Sequence, residues 1–85
     1  MDRREIEEKV KEILADRLDI DIKKIKPDSD LVDDLGMDSF KAVELAFAVR
    51  EEFGVGIKES KFSQINTVRD IVRYIIDHRS ETLNQ

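Results

Sequence analysis

The chain has no cysteine and no long apolar segment, and each absence removes a class of protein. Without cysteine there is no disulfide framework, no thiolate metal site and no cysteine nucleophile. No apolar run approaches the roughly 20 residues that a membrane span needs. The charged N-terminus lacks the apolar core of a signal peptide. With 85 residues, the sequence predicts a single domain, residues 1–85, in a soluble, cytoplasmic protein without membrane insertion.

The acidic charge of the chain is concentrated in one segment. The formal net charge is −5, and residues 28–38 hold five aspartates and no base, so this segment alone carries −5. Such a surface repels nucleic acid backbones and attracts basic protein surfaces. The sequence therefore argues against a nucleic acid partner, including recognition by a helix-turn-helix, and favours a basic protein partner.

Apolar residues at helical spacing predict the first main helix. Asp2, with Glu5 three residues later, predicts a capping box at its start. Its apolar stripe consists of Ile6, Val10, Ile13, Leu14 and Leu18.

The same spacing predicts two further main helices. The second is expected over Ser39–Phe53, with Asp38 as N-cap and Gly54 as the stop. Thr67 and Asp70 open the last helix. Its stripe consists of Val68, Ile71, Val72 and Ile75.

The connections complete the predicted fold. Residues 19–37 lack a steady period and are predicted to form a long ordered loop, held to the core by Ile25, Leu31 and Leu35. Residues 55–65 are predicted to contain one helical turn around residues 60–64, anchored by Phe62 and Ile65. The polar tail SETLNQ is expected to fray, which leaves about residues 3–79 ordered. The expected fold class is all-α, with three main helices and a short one between the last two.

The second helix has two apolar faces. One face, expected to meet the core, consists of Ala42, Leu45, Ala46, Val49 and Phe53. Phe40, Val43 and Phe47 lie roughly opposite at spacing i, i+3 and i+7, with Glu44 and Glu51 among them. These three residues, called here the apolar strip, are either covered by a connecting segment or exposed as a docking surface.

The stretch GMDSF places Ser39 at the start of the second helix, and its role has several explanations. A nucleophilic serine needs a base, but the single histidine, His78, lies near the polar tail and is expected to face solvent. The G-x-S-x-G pattern is absent. The aspartate run fails the pattern of a calcium-binding loop, because Val32 and Asp33 occupy ligand and glycine positions. Serine is also common in first helical turns. A serine modified by another enzyme fits better than a catalytic one.

The segment DLGMDSFKAVELAFAVREEFGV resembles the phosphopantetheine attachment region of acyl carrier proteins. That family has a D-S-L triplet after L-G-x, followed by V-E-L and E-E-F-G. The segments IKPDSDLVDDLG and INTVRDIVRYI extend the resemblance on both sides. Together these pieces cover about residues 3–78 in the same order and spacing.

The resemblance implies a non-catalytic carrier with a four-helix bundle fold. A phosphopantetheinyl transferase would attach 4′-phosphopantetheine from coenzyme A to Ser39, and the arm would carry acyl groups as thioesters for fatty-acid, polyketide or related lipid synthesis. The second helix would meet acyl-transfer and synthase enzymes that present basic patches to a monomeric carrier. Its matching recognition positions are acidic Asp38, Glu44 and Glu51 and apolar Phe40, Val43 and Phe47.

Three residues depart from the family pattern. Phe40 replaces the usual leucine, and Lys41 and Arg50 stand where acids are common. These cations are either solvated surface residues of small effect or features of a specialised carrier with a different partner. An alternative to the carrier is an unmodified helical module that docks through the apolar strip. The initial Met1 and the length favour a free-standing protein over a synthase domain.

Overall fold

The computed structural model describes residues 2–83, with side chains described for residues 2–79. The three main helices are α1 (Arg3–Leu18), α2 (Ser39–Phe53) and α3 (Val68–Leu83), and a short 3₁₀ helix, Glu59–Gln64, precedes α3. The predicted all-α bundle with a short third helix is confirmed. No strand occurs within residues 2–83, where Asp30 and Thr67 form one isolated bridge.

The helix ends follow the sequence signals. The Asp2 Oδ1 atom accepts a hydrogen bond from Glu5 N at 3.0 Å, and the capping box is complete. The α2 helix has the predicted bounds, with Asp38 as N-cap and Gly54 in the left-handed region at φ 71°. At the start of α3, the Asp70 carboxylate accepts hydrogen bonds from two backbone N–H groups, those of Asn66 and Thr67. These ends are local features, so a short sequence window was enough to predict them.

The core lies where α1 packs against both α2 and α3. All four residues of the predicted α3 stripe are buried. In α1 the centre of the stripe, Ile6, Val10 and Leu14, is buried, whereas Ile13 and Leu18 pack against its edge.

The predicted core face of α2 is confirmed at four of its five positions. Leu45 and Val49 are buried, and half-buried Ala42 and Phe53 pack against the core, whereas Ala46 does not. Ala48, which the helical wheel placed on neither face, is buried as well. The buried stripe is therefore rotated towards Ala48, away from Ala46, which lines an open groove.

The loop between α1 and α2 is pinned as predicted. Ile25, Leu31 and Leu35 are buried, and Met37 joins them. A 3₁₀ helix over Ile22–Lys24 was not expected. It forms because the side chain of Asp21 caps it, accepting a hydrogen bond from Lys23 N at 2.9 Å.

The prediction for the segment between α2 and α3 is confirmed in part. The helical turn is present as the 3₁₀ helix Glu59–Gln64, and the predicted anchor Ile65 packs against the core. Val55 is buried and Ile57 packs beside it, neither of which was predicted. Phe62 is half-buried and is not among the residues that pack on the core; it lies between two clefts, so its predicted role as an anchor is wrong.

The backbone of α3 is helical as far as Leu83. The whole predicted fraying tail, SETLNQ, lies outside the described side chains, and residues 84–85 lie outside the described range altogether. Fraying therefore stays a prediction. Of the helices between residues 2 and 83, none combines the length and the apolar content that crossing a lipid bilayer requires.

Candidate functional site

Ser39 is the first residue of α2 and is exposed. The preceding turn fixes its position: Gly36 adopts φ 74°, and buried Met37 donates a backbone hydrogen bond to Leu31 O at 2.9 Å. Asp38 then caps the helix, since its Oδ1 atom accepts a hydrogen bond from Lys41 N at 2.8 Å. A buried residue on one side and a capped helix on the other thus present the serine hydroxyl to solvent.

The aspartates before Ser39 stabilise the loop because their side chains accept hydrogen bonds from backbone N–H groups of the same segment. Asp30 Oδ1 accepts hydrogen bonds from Val32 N at 3.0 Å and Asp33 N at 2.9 Å. Asp34 Oδ2 accepts one from Asp30 N at 2.7 Å. In the part of the chain that the structure describes, no three histidine, aspartate or glutamate side chains converge in a way that could hold a metal ion. These carboxylates shape the turn and leave a negative surface beside the serine.

The apolar strip lies on the surface. Phe40 is 71% exposed, Val43 49% and Phe47 62%, so no connecting segment covers these residues. The structure thus brings the strip and Ser39 together on α2, as the sequence predicted. The use of the strip for docking stays a prediction.

The charged residues along α2 differ in whether an oppositely charged side chain lies beside them. The Lys41 Nζ atom lies 3.4 Å from Glu44 Oε1, without the geometry of a hydrogen bond, so the two charges largely offset each other. Asp38 and Glu51, the other predicted recognition acids, are exposed. Arg50 is exposed in the last turn. Lys41 and Arg50 are the two cations that stand where the family commonly has acids. Lys41 is paired with an acid, whereas Arg50 belongs to no ion pair among the described residues.

A cleft of about 530 Å³ opens beside Ser39. Ala42 and Leu45 of α2 line one side, and Ile57, Phe62 and Ile65 line the other. The lining is mostly apolar, and the serine stands at its rim. The cleft provides an apolar space within reach of a group attached at this position.

Sequence reasoning missed Val32 as part of this site. It is 61% exposed and lines the cleft together with Ser39. The only available signal was a single apolar residue in an acidic run, since Val32 belongs to no periodic pattern.

His78 does not face solvent freely, contrary to the sequence expectation. Its ring stacks on Tyr74, with the ring centroids 3.9 Å apart, and its Nδ1 atom lies 2.9 Å from Tyr74 O. The side chain is half-buried because α3 places residues four apart on the same face. Its described contacts are with α3 and not with the serine.

Comparison with known proteins identifies the class to which this site belongs. A family model described as a phosphopantetheine attachment site matches residues 8–75, a range that contains Ser39, the strip and the cleft. The fold and the match together define a small helical carrier domain.

Curated relatives narrow this class to a family. An acyl carrier protein of Clostridium acetobutylicum is 45% identical over 74 residues, which cover 87% of this chain and 96% of that protein. Acyl carrier proteins of Solidesulfovibrio magneticus and Thermosynechococcus vestitus are each 43% identical, over 89% and 88% of this chain and 97% and 93% of their own lengths. The chain belongs to the acyl carrier protein family.

Membership of this family defines the general role of the chain. It is a non-catalytic carrier with covalently attached 4′-phosphopantetheine, and it interacts with a phosphopantetheinyl transferase and with acyl-transfer enzymes. Membership favours the modified carrier over the unmodified module. The residues present fit the group: an exposed serine hydroxyl at the rim of an apolar cleft offers both an attachment point and space beside it.

Proposed function

We propose that Ser39 is the attachment residue and that the chain carries acyl groups for fatty-acid, polyketide or related lipid synthesis. The proposal rests on one observation, the exposed serine in the first turn of α2 at the mouth of the apolar cleft. When bound, the prosthetic group supplies a flexible arm whose thiol holds acyl groups as thioesters.

The surroundings of Ser39 suit a phosphodiester made by another enzyme. The Ser39 Oγ atom forms a bond to a phosphorus of coenzyme A, the nucleotide part leaves, and the hydroxyl proton passes to a base of the transferase. The first turn of a helix favours a negative phosphodiester, because the helix dipole is positive there. The Asp38 carboxylate opposes this charge but already accepts a hydrogen bond from Lys41 N.

The cleft provides a place for part of the carried acyl chain. Its lining is mostly apolar, and its volume of about 530 Å³ falls in the range of small-molecule sites. Ala42 contributes space because its side chain is small. Ala46, the other small residue of the expected core face, lines a different groove.

Docking involves the apolar strip and its acidic neighbours. Phe40, Val43 and Phe47 offer exposed apolar contacts to a partner enzyme. Asp38, Glu44 and Glu51 supply negative charge for basic patches, with Glu44 contributing less because it is paired with Lys41. A monomeric state and a cytoplasmic location stay predictions of the sequence.

The test is intact mass after incubation with coenzyme A and a broad-specificity phosphopantetheinyl transferase. The parent protein should gain one phosphopantetheine, and Ser39→Ala should gain none. Ser63→Ala is a matched control, since Ser63 is exposed and lines the same cleft but lies in the 3₁₀ helix. A mass gain that survives in Ser39→Ala and disappears in Ser63→Ala would mean that the group is attached to Ser63 and would contradict the proposal.

A further inference from the structure

Several charged residues of α2 form ion pairs with neighbouring side chains, whereas Arg50 does not. Lys41 is paired with Glu44 at 3.4 Å, and Glu52 with Lys9 of α1 at 3.3 Å. None of the ion pairs among the described residues involves Arg50. In a chain with net charge −5, an exposed guanidinium outside any ion pair lies next to the apolar strip.

Arg50 also lines a groove of about 290 Å³ that is separate from the mouth at Ser39. Val43 and Phe47 of the strip line the groove from α2, as Arg50 does, and Ile57 and Phe62 line it from the connection between α2 and α3. The groove therefore combines apolar surface for a partner side chain with a positive charge at one edge.

Glu59 is an acid that lines the same groove. It belongs to the 3₁₀ helix, whereas Arg50 belongs to α2, and the two side chains form no ion pair. The two segments that line the groove therefore contribute opposite charges. A bound partner that places a carboxylate on the α2 side meets Arg50, and the same carboxylate on the other side meets Glu59.

A structural role explains Arg50 only in part. A cation in the last turn of a helix interacts favourably with the helix dipole, and its aliphatic stem covers apolar surface. Neither of these two roles depends on which partner protein binds. A docked partner, however, removes water from the groove, and the guanidinium then needs an anion or a strong acceptor.

We infer that Arg50 is a specificity-determining residue for docking. It favours partner enzymes that present a carboxylate beside an apolar side chain, and it disfavours docking patches made of lysine and arginine alone. The inference rests on the proposed function, since it names the chemistry of the partner that meets the same surface. Arginine suits this role because it presents a fixed fork of donors to a carboxylate.

The test measures the dissociation constant of the unmodified protein for a ketosynthase whose docking patch contains only lysine and arginine. Arg50→Glu should bind this enzyme about three- to tenfold more tightly than the parent, because repulsion becomes attraction. Arg50→Gln should bind about two- to threefold more tightly, because repulsion is removed without new attraction. Phe47→Ala should weaken binding, since it removes an apolar contact.

Arg69→Glu is the matched control. Arg69 is exposed on α3 and lines a separate depression with Arg3 and Pro27. Both arginine-to-glutamate changes take the net charge from −5 to −7, so general attraction changes equally. Arg69→Glu should stay within about twofold of the parent. Equal tightening by both variants, or no tightening by Arg50→Glu and Arg50→Gln, would overturn the inference.

A charge exchange on the partner gives the second arm of the test. Each base of the ketosynthase patch is replaced by glutamate in turn, and one replacement should tighten binding of the parent protein and weaken binding of Arg50→Glu. If no replacement does so, Arg50 faces no partner charge and the inference fails. All measurements use unmodified protein, so failure of Ser39 modification would leave this result intact and would affect only the proposed function.

Discussion

The connection from α1 to α2, residues 19–38, is held more tightly than the connection from α2 to α3, residues 54–67. The first buries Ile25, Leu31, Leu35 and Met37. The second has one fully buried side chain, Val55, and its 3₁₀ helix has none.

Backbone hydrogen bonds strengthen this contrast. The first connection accepts hydrogen bonds at Ser29 O from Val68 N at 3.2 Å and at Pro27 O from Arg69 N at 2.8 Å. These bonds tie it to the start of α3. The 3₁₀ helix Glu59–Gln64 begins without a side-chain cap, although Tyr74 Oη lies 3.3 Å from Gly56 O just before it.

The difference separates two requirements of a carrier. Ser39 follows the tightly held connection, so the proposed attachment at this residue would present the serine to a transferase in one position. Ile57, Phe62 and Ile65 line the cleft from the loosely held connection. Segments with few buried contacts open at the lowest free-energy cost, so under the proposed function this wall would adjust to different acyl groups.

The largest expected effect tests the tight connection. Ile25→Ala should lower the free energy of unfolding by about 3 kcal/mol, because it removes a buried side chain and leaves a cavity in the core. Chemical denaturation monitored by circular dichroism measures this change. A loss below about 1 kcal/mol would mean that the first connection contributes little to stability and that the contrast is wrong.

A smaller effect is expected in the loose connection. Phe62→Ala should lower the free energy of unfolding by about 1 kcal/mol, well below the 3–5 kcal/mol typical of a buried phenylalanine. Phe62 already borders two open clefts, so truncation enlarges existing space and does not create a closed cavity. The same denaturation experiment measures it. An effect as large as that of Ile25→Ala would show that the second connection is equally anchored.

The smallest expected effect concerns Asp70, where the first connection meets α3. Burial acts to raise the pKa of Asp70, but hydrogen bonds from the N–H groups of Asn66 and Thr67, a further one with the Thr67 side chain and the charge of Arg73 lower it overall. A lowered folded-state pKa stabilises the fold above the ordinary carboxyl value of about 4. This contribution disappears as the pH falls through the lowered folded value.

Asp70→Asn is the corresponding variant. It should lower the free energy of unfolding at pH 7 by about 0.5 kcal/mol, since the amide oxygen still accepts a hydrogen bond without the charge. The difference from the parent should shrink as the pH falls below about 4, because the carboxylate of the unfolded parent becomes protonated there and that of the folded parent becomes protonated at lower pH. Denaturation at pH 7, 4 and 2.5 measures the trend, and a difference independent of pH would contradict the assignment.

Much of the fold follows from short stretches of sequence. The bounds of α2 follow from Asp38 and Gly54, because a capping side chain and a left-handed glycine act on their own helix. Helical periodicity placed Phe40, Val43 and Phe47 opposite the core stripe, because residues three and four apart share one face of a helix. Ser39 was a candidate because of its place at the helix start and the motif around it.

The sequence by itself determined the main helices, their ends and the place of the apolar strip on α2, because these depend on residues within a few positions of each other. Only the tertiary structure decided that no connection covers the strip and which residues of the irregular connections are buried. Met37 is buried and Val32 is exposed, although both are apolar residues in the same acidic segment. The tertiary structure also placed Phe62 between two clefts. Burial at these positions depends on how the connections pack against the helices, and no local pattern encodes that packing.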